Sequence, residues 1–253
     1  MLNSSQNFVI ILFAVLGSLL FMWVLNHFWP KEKRREHNDQ IGWQLTALGT
    51  TYAVILGFML YAVWTGFGAA DLNVNLEADA LVNVYRLAAG LPEAQKQHIR
   101  DLARAYADAA IEKDWPAMAN AAVPNATRDI NSEMWQALVT MKGASETEQS
   151  AQSHALSVMT SLTAYQRTRV LQSTATMPTV LWCVLIAGAV LSVASSCLFG
   201  SANEILHALQ VFAFALLIAI SLVAIGDINR PFQGTVHVST FAFTRAQDSM
   251  RLP

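Results

Sequence analysis

Four long runs without a charged side chain decide most of what this chain can become. They are Phe8–Phe28, Trp43–Phe67, Pro178–Phe199 and Leu206–Ile225. A helix rises about 1.5 Å per residue, so roughly 20 apolar residues cross the hydrocarbon core of a bilayer. A segment that crosses lipid must satisfy its own backbone, which a helix does. The fold class expected is therefore all-α: a membrane protein with four transmembrane helices and a helical extramembrane domain between helices 2 and 3. Composition agrees, since 54% of the residues are hydrophobic and 13% charged, against about 25% charged in an ordinary soluble domain. Trp23, Trp29, Trp43, Trp64 and Trp182 stand near run ends, where interfacial aromatics gather.

The first run is read as a retained helix, because MLNSSQN carries no Lys or Arg and no small-residue cleavage site follows. The second is too long for one crossing. The charge-free stretch Ile41–Ala70 would extend about 45 Å as helix, against a core of about 30 Å, so it tilts or continues past the bilayer. The third and fourth runs form an antiparallel hairpin. Residues 1–70 and 178–226 are thus the membrane part, 71–177 the extramembrane domain and 227–253 a C-terminal tail.

Within 71–177 strand signals are scarce. A helix continues from the second run to about Ala89 and breaks at Gly90-Leu91-Pro92. A second helix is expected from Pro92 to about Lys113. A third, capped by Asn125 or Thr127, carries Ile130, Met134, Leu138 and Met141. A last one, from about Glu148, is expected to feed through Pro178 into the third span.

A stripe on the second span is the main candidate for function. At 3.6 residues per turn Thr46, Thr50, Ala53, Gly57, Tyr61 and Trp64 share a face. Small residues on a membrane helix serve close helix packing; the same residues can line a pore with hydroxyls and aromatic constrictions. Glu77, Asp79, Arg167, Arg169, Asp227 and Arg230 are candidate pore-mouth charges, with anchoring and a solvated helix face as the plainer readings. No span carries a charge at its centre, which disfavours proton-coupled transport and voltage sensing.

Other classes find little support. The formal net charge is −2, which offers nothing to nucleic acid. Cys183 and Cys197 sit in one apolar run, and no Cys/His cluster has metal-ligand spacing. No Walker, HExxH or GxSxG pattern occurs, so neither an enzyme nor a cofactor is expected. Lys31, Lys33, Arg34 and Arg35 stand in the loop between the first two spans. Arg86, Arg167, Arg169, Arg230 and Arg245 flank spans on the other side. The loop's tighter cluster leans slightly toward a cytoplasmic loop.

The order of features carries a resemblance. Glu77-Ala78, Val84-Tyr85-Arg86-Leu87-Ala88 and Leu91-Pro92 follow the first hairpin. Then come Trp115-Pro116, Arg167 and Arg169, Met177-Pro178 with Trp182, and, after the fourth span, Asp227-Ile228-Asn229-Arg230-Pro231-Phe232-Gln233-Gly234. In this the chain resembles the bestrophin-like family of bacterial membrane proteins along nearly its whole length, and bestrophins proper more distantly. Bestrophins are homopentameric channels whose second helices line the pore and whose helical domain between helices 2 and 3 is cytosolic. The resemblance implies a homo-oligomeric channel, a pentamer, embedded in the lipid bilayer of the bacterial inner membrane and passing permeant ions through an axis lined by the second span. It also implies that residues 71–177 and both termini are cytosolic, against the charge-count lean. Asn229, Arg230, Pro231, Phe232 and Gly234 match the segment that follows the fourth helix in bestrophins. Thr235-Val236-His237-Val238 replaces the acidic run of calcium-regulated members, so no calcium clasp is expected. The competing reading is a non-conducting membrane sensor or scaffold whose helical domain recruits a partner.

Overall fold

The computed structural model describes residues 4–251, and these form helices joined by turns and loops, with no strand. The helices are α1 (Ser4–Phe28), α2 (Lys31–Arg35), α3 (Asn38–Leu87), α4 (Glu93–Ala109), α5 (Trp115–Ala119), α6 (Ala126–Thr140), α7 (Glu146–Thr174), α8 (Thr179–Cys197), α9 (Glu204–Ile228) and α10 (Phe241–Arg251). Four of them, α1, α3, α8 and α9, are long and apolar enough to cross a membrane. The chain divides into two compact units, and α3 contributes to both.

Among the described residues the apolar unit comprises 4–65 and 176–229. One edge of α3 packs against α8 and α9: Tyr52 meets Ala189 and Ile218, and Val63 meets Leu185 and Ile225. Two details fix this register. The Tyr52 hydroxyl donates to the Leu185 carbonyl at 3.0 Å, and the Tyr52 ring lies where a Cβ on Gly188 would stand, 2.4 Å from Cδ2. Only glycine admits that approach. Near the ends of α1 and α8, Arg34 is fully buried. Its guanidinium donates to the Cys197 carbonyl at 2.9 Å and to the Asn26 side chain. Cations suit carbonyl-rich helix C-termini, so Arg34 ties α1 and α8 to the loop. Asn38 and Gly200 close the same end with a reciprocal pair of 2.9 Å bonds.

Among the described residues the polar unit comprises 66–175 and 230–251. Ala70, Val74, Ala78, Leu81, Val84 and Ala88 place one stripe of α3 in its core, at the spacing of a helical face. Ile99, Tyr106, Met134, Leu138, Met159, Leu162 and Phe243 complete that core. α3 stops where expected: residues 88–90 tighten into a 3₁₀ turn and Leu91 is extended before Pro92. The segment 230–251, separate as a tail in the sequence, belongs to this unit; Phe243 packs on Trp115 and Tyr106.

Three expectations need correction. α7 does not run into α8: it ends at Thr174, and Ala175 is already extended ahead of Pro178. Pro178 disfavours helical backbone at Met177, but α7 has already ended three residues earlier, so the junction is a break rather than a kink. The second domain helix stops being regular at Ala109, where residues 110–114 widen into a π turn that swings Asp114 inward. The N-terminus of α6 is capped by neither Asn125 nor Thr127 acting alone. Asp114, twelve residues upstream, accepts from the Ala126 N–H at 2.9 Å and from the Thr127 hydroxyl at 2.6 Å.

Candidate functional site

Two features of α3 bear on function, one in each unit. In the apolar unit, α3 has a packed edge and an exposed one. Tyr52, Ile55, Leu56, Met59 and Val63 face α8 and α9. Thr46, Thr50, Ala53, Gly57, Tyr61 and Trp64 are all exposed, Tyr61 at 69% and Trp64 at 60%. A Cβ added at Gly49, Gly57, Gly66 or Gly68 would meet nothing within 4 Å. The small residues of this stripe therefore do not serve packing inside one chain, as Gly188 does. Thr46 and Thr50 also border a groove of about 490 Å³ shared with Ser196, His207 and Gln210. The His207 ring nitrogen lies 3.1 Å from the Ser196 carbonyl.

In the polar unit, the second half of α3 supplies Glu77 to a buried ion cluster. Arg169 on α7 donates from Nε to Glu77 Oε2 at 2.8 Å and from Nη2 to Glu77 Oε1 at 3.1 Å, a forked pair with both side chains fully buried. The same Nη2 reaches Asp114 Oδ2 and the Thr127 hydroxyl, each at 3.1 Å. Tyr106 on α4 donates its hydroxyl to Glu77 Oε1 at 2.6 Å. Gln166 donates to Thr127 at 2.9 Å and accepts from Asn131 at 3.0 Å. The Trp115 ring lies under the guanidinium at 5.4 Å. Burial works against the charge on Arg169, but the carboxylates of Glu77 and Asp114 more than offset it and hold the guanidinium above its ordinary value. Burial and the Glu77 charge push the Tyr106 phenol well up, so it stays a donor.

This overturns the pore-mouth reading for two residues. Glu77 and Arg169 are at 0% exposure and neutralise each other in the core, so neither presents charge to solvent. Asp79, Arg167 and Arg230 are exposed, and Asp227 is half-buried. Asp114, Tyr106 and Thr127 were not singled out as site residues from the sequence. Asp114 stands directly before Trp115-Pro116, and its local signal is an acid inside an otherwise helical, Ala-rich stretch.

The segment after α9 is a structural turn. Asn229 closes α9 through its N–H to the Ile225 carbonyl at 3.0 Å. Gln233 N–H returns to the Arg230 carbonyl at 3.0 Å, and Val238 N–H to the Pro231 carbonyl at 2.7 Å. Phe232 is buried edge-on against Trp115 at 5.8 Å, and Gly234 takes a φ of 80°, a conformation that glycine adopts without penalty. Among the described residues no group of three His, Cys, Asp or Glu side chains is placed to hold a metal ion.

The sequence matches the Bestrophin-like domain family over residues 12–243. The chain belongs to the bestrophin-like family. Solved structures agree on the fold. A crystal structure of a point variant of a bacterial bestrophin homologue from Klebsiella pneumoniae is similar, with a TM-score of 0.74 at 14% identity, covering 95% of this chain and 97% of that one. A second variant of that bestrophin homologue gives 0.71 at 13% identity, covering 95% and 97%. No curated protein matches the sequence significantly. With four apolar helices and this family, the bestrophin-like chain is a membrane protein of bestrophin fold.

Proposed function

We propose that this bestrophin-like chain is a homo-oligomeric ion channel, five copies around an axis lined by α3. The observation that carries the reading is the two-edged character of α3 in the apolar unit. Tyr52, Ile55, Leu56, Met59 and Val63 pack on α8 and α9, while hydroxyls, small residues and two aromatics stand exposed on the other edge, flanked by the exposed Val54, Phe58 and Leu60. Lipid alone would favour a uniformly apolar exposed edge; hydroxyls and glycines suit water and close approach of neighbouring helices. Tyr61 and Trp64 are the bulkiest members of the stripe and form the constriction. The exposed Asp79, Arg167 and Arg230 and the half-buried Asp227 remain as charges able to act on ions near the pore.

The membrane is the bacterial inner membrane, with residues 71–177 and both termini in the cytosol. Lys33 and Asp129 are exposed and report this directly: Lys33→Cys labels from outside intact cells and Asp129→Cys does not. The reverse pattern inverts the orientation.

The assembly is tested by native mass spectrometry of the chain in nanodiscs, followed by ion flux from liposomes. A ring of five with flux is the expected result. A stable monomer or dimer removes the axis and leaves the helical domain as a recruiting scaffold.

A further inference from the structure

A second site lies wholly in the polar unit, in a groove of about 380 Å³ between α3 and α10. Its walls are polar. From α3 come Asn75, Asp79, Asn83 and Arg86, and from α10 Arg245 and Ser249. The α3 residues are spaced four, four and three apart, which keeps them on one face.

The charges lining this groove are not paired with one another. Nearby surface charges of the same unit find partners along their own helices: Arg104 with Asp101 at 3.2 Å and Arg251 with Asp248 at 3.9 Å. Asp79, Arg86 and Arg245 form no ion pair with one another or with any described residue, although all three line one groove. Arg245 rests instead on the Phe241 ring at 5.9 Å, which orients its guanidinium without consuming its donors. Two guanidiniums with open forks suit a carboxylate. An unspent carboxylate beside them suits a hydrogen-bond donor on the same guest. The opening is within the size range of small-molecule sites, about 300–1,000 Å³.

We propose that the α3–α10 groove binds a small carboxylate-bearing solute that has a hydroxyl or ammonium donor beside its carboxylate. Arg86 and Arg245 take the carboxylate, and Asp79 takes the donor, with Asn75, Asn83 and Ser249 completing the polar wall. The site goes beyond channel function; it shares Asp79 with the charges named there, and binding to it is read without any current.

The test is isothermal titration calorimetry on the full chain in nanodiscs, with serine, glycolate, acetate and inorganic phosphate as probes. Serine or glycolate should bind saturably and more tightly than acetate or phosphate. Arg245→Ala and Arg86→Ala should each weaken that binding about tenfold or more, the scale of a lost charge-assisted hydrogen bond. Asp79→Asn should erase the preference over acetate. All three side chains are exposed, and circular dichroism confirms that the variants fold. No saturable binding of any probe, or affinities unchanged in the arginine variants, would overturn the proposal. Heat rather than current is the readout, so a chain that fails to conduct still decides it.

Discussion

Glu77 and Arg169 show how a residue's type can mislead until its surroundings are known. Both are charged residues near a span, and both lie in a core with no exposure. Removing one partner leaves the other buried and uncompensated, which costs about 3–5 kcal/mol. Glu77→Ala and Arg169→Ala should therefore lower the thermal midpoint of the polar unit far more than Asp79→Ala, as followed by circular dichroism. Equal effects would mean that the cluster does not hold the unit together. Asp114→Ala removes an acceptor from the α6 N-terminus and from Arg169, so it should exceed the roughly 0.5–2 kcal/mol of an ordinary cap. Tyr106 adds a pH dependence with a definite sign. Its phenol is raised well above 10.0 in the folded unit, so folding favours the protonated form. That contribution is full below pH 10 and is lost as pH rises toward the folded value. Alkaline titration should destabilise wild type more than Tyr106→Phe above pH 10; parallel curves would contradict it.

At the scale of elements, the contrast between Gly188 and Gly57 separates packing inside the chain from contacts outside it. Gly188→Ala forces a methyl into the Tyr52 ring and should cost about 1–3 kcal/mol by overpacking, read as a lowered melting temperature in detergent. Gly57→Ala meets nothing in its own chain, so the monomer should be unaffected and any effect should fall on assembly or flux. Helix positions were the legible part of the fold. Uncharged runs of bilayer length marked α1, α3, α8 and α9, and Gly90-Leu91-Pro92 marked the end of α3. Less legible was whatever depended on partners distant in sequence. Asp114 caps α6 only because a π turn aims it there, and Arg34 caps α8 across a separation of 163 residues. Neither leaves a local pattern. That Thr46, Thr50, Ala53, Gly57, Tyr61 and Trp64 share one face of α3 was legible from the period alone. Which edge packs internally needed the structure, since Tyr52 and Tyr61 are the same residue type on different edges.

For the whole molecule, the family and the fold make this bestrophin-like chain a membrane protein, and the central claim is that α3 faces water around a common axis. Cysteine accessibility tests it most directly. The native Cys183 and Cys197 are first replaced by alanine, and single cysteines are placed at Thr50, Ala53 and Gly57 on the exposed edge and at Ile55 and Met59 on the packed edge. Currents are recorded in planar bilayers while a charged, water-soluble thiol reagent is added. The account predicts that Thr50→Cys, Ala53→Cys and Gly57→Cys conduct and are blocked by the reagent, while Ile55→Cys and Met59→Cys conduct and are unaffected. Block at both edges alike, or at the packed edge only, or no current from any of the five, would contradict it.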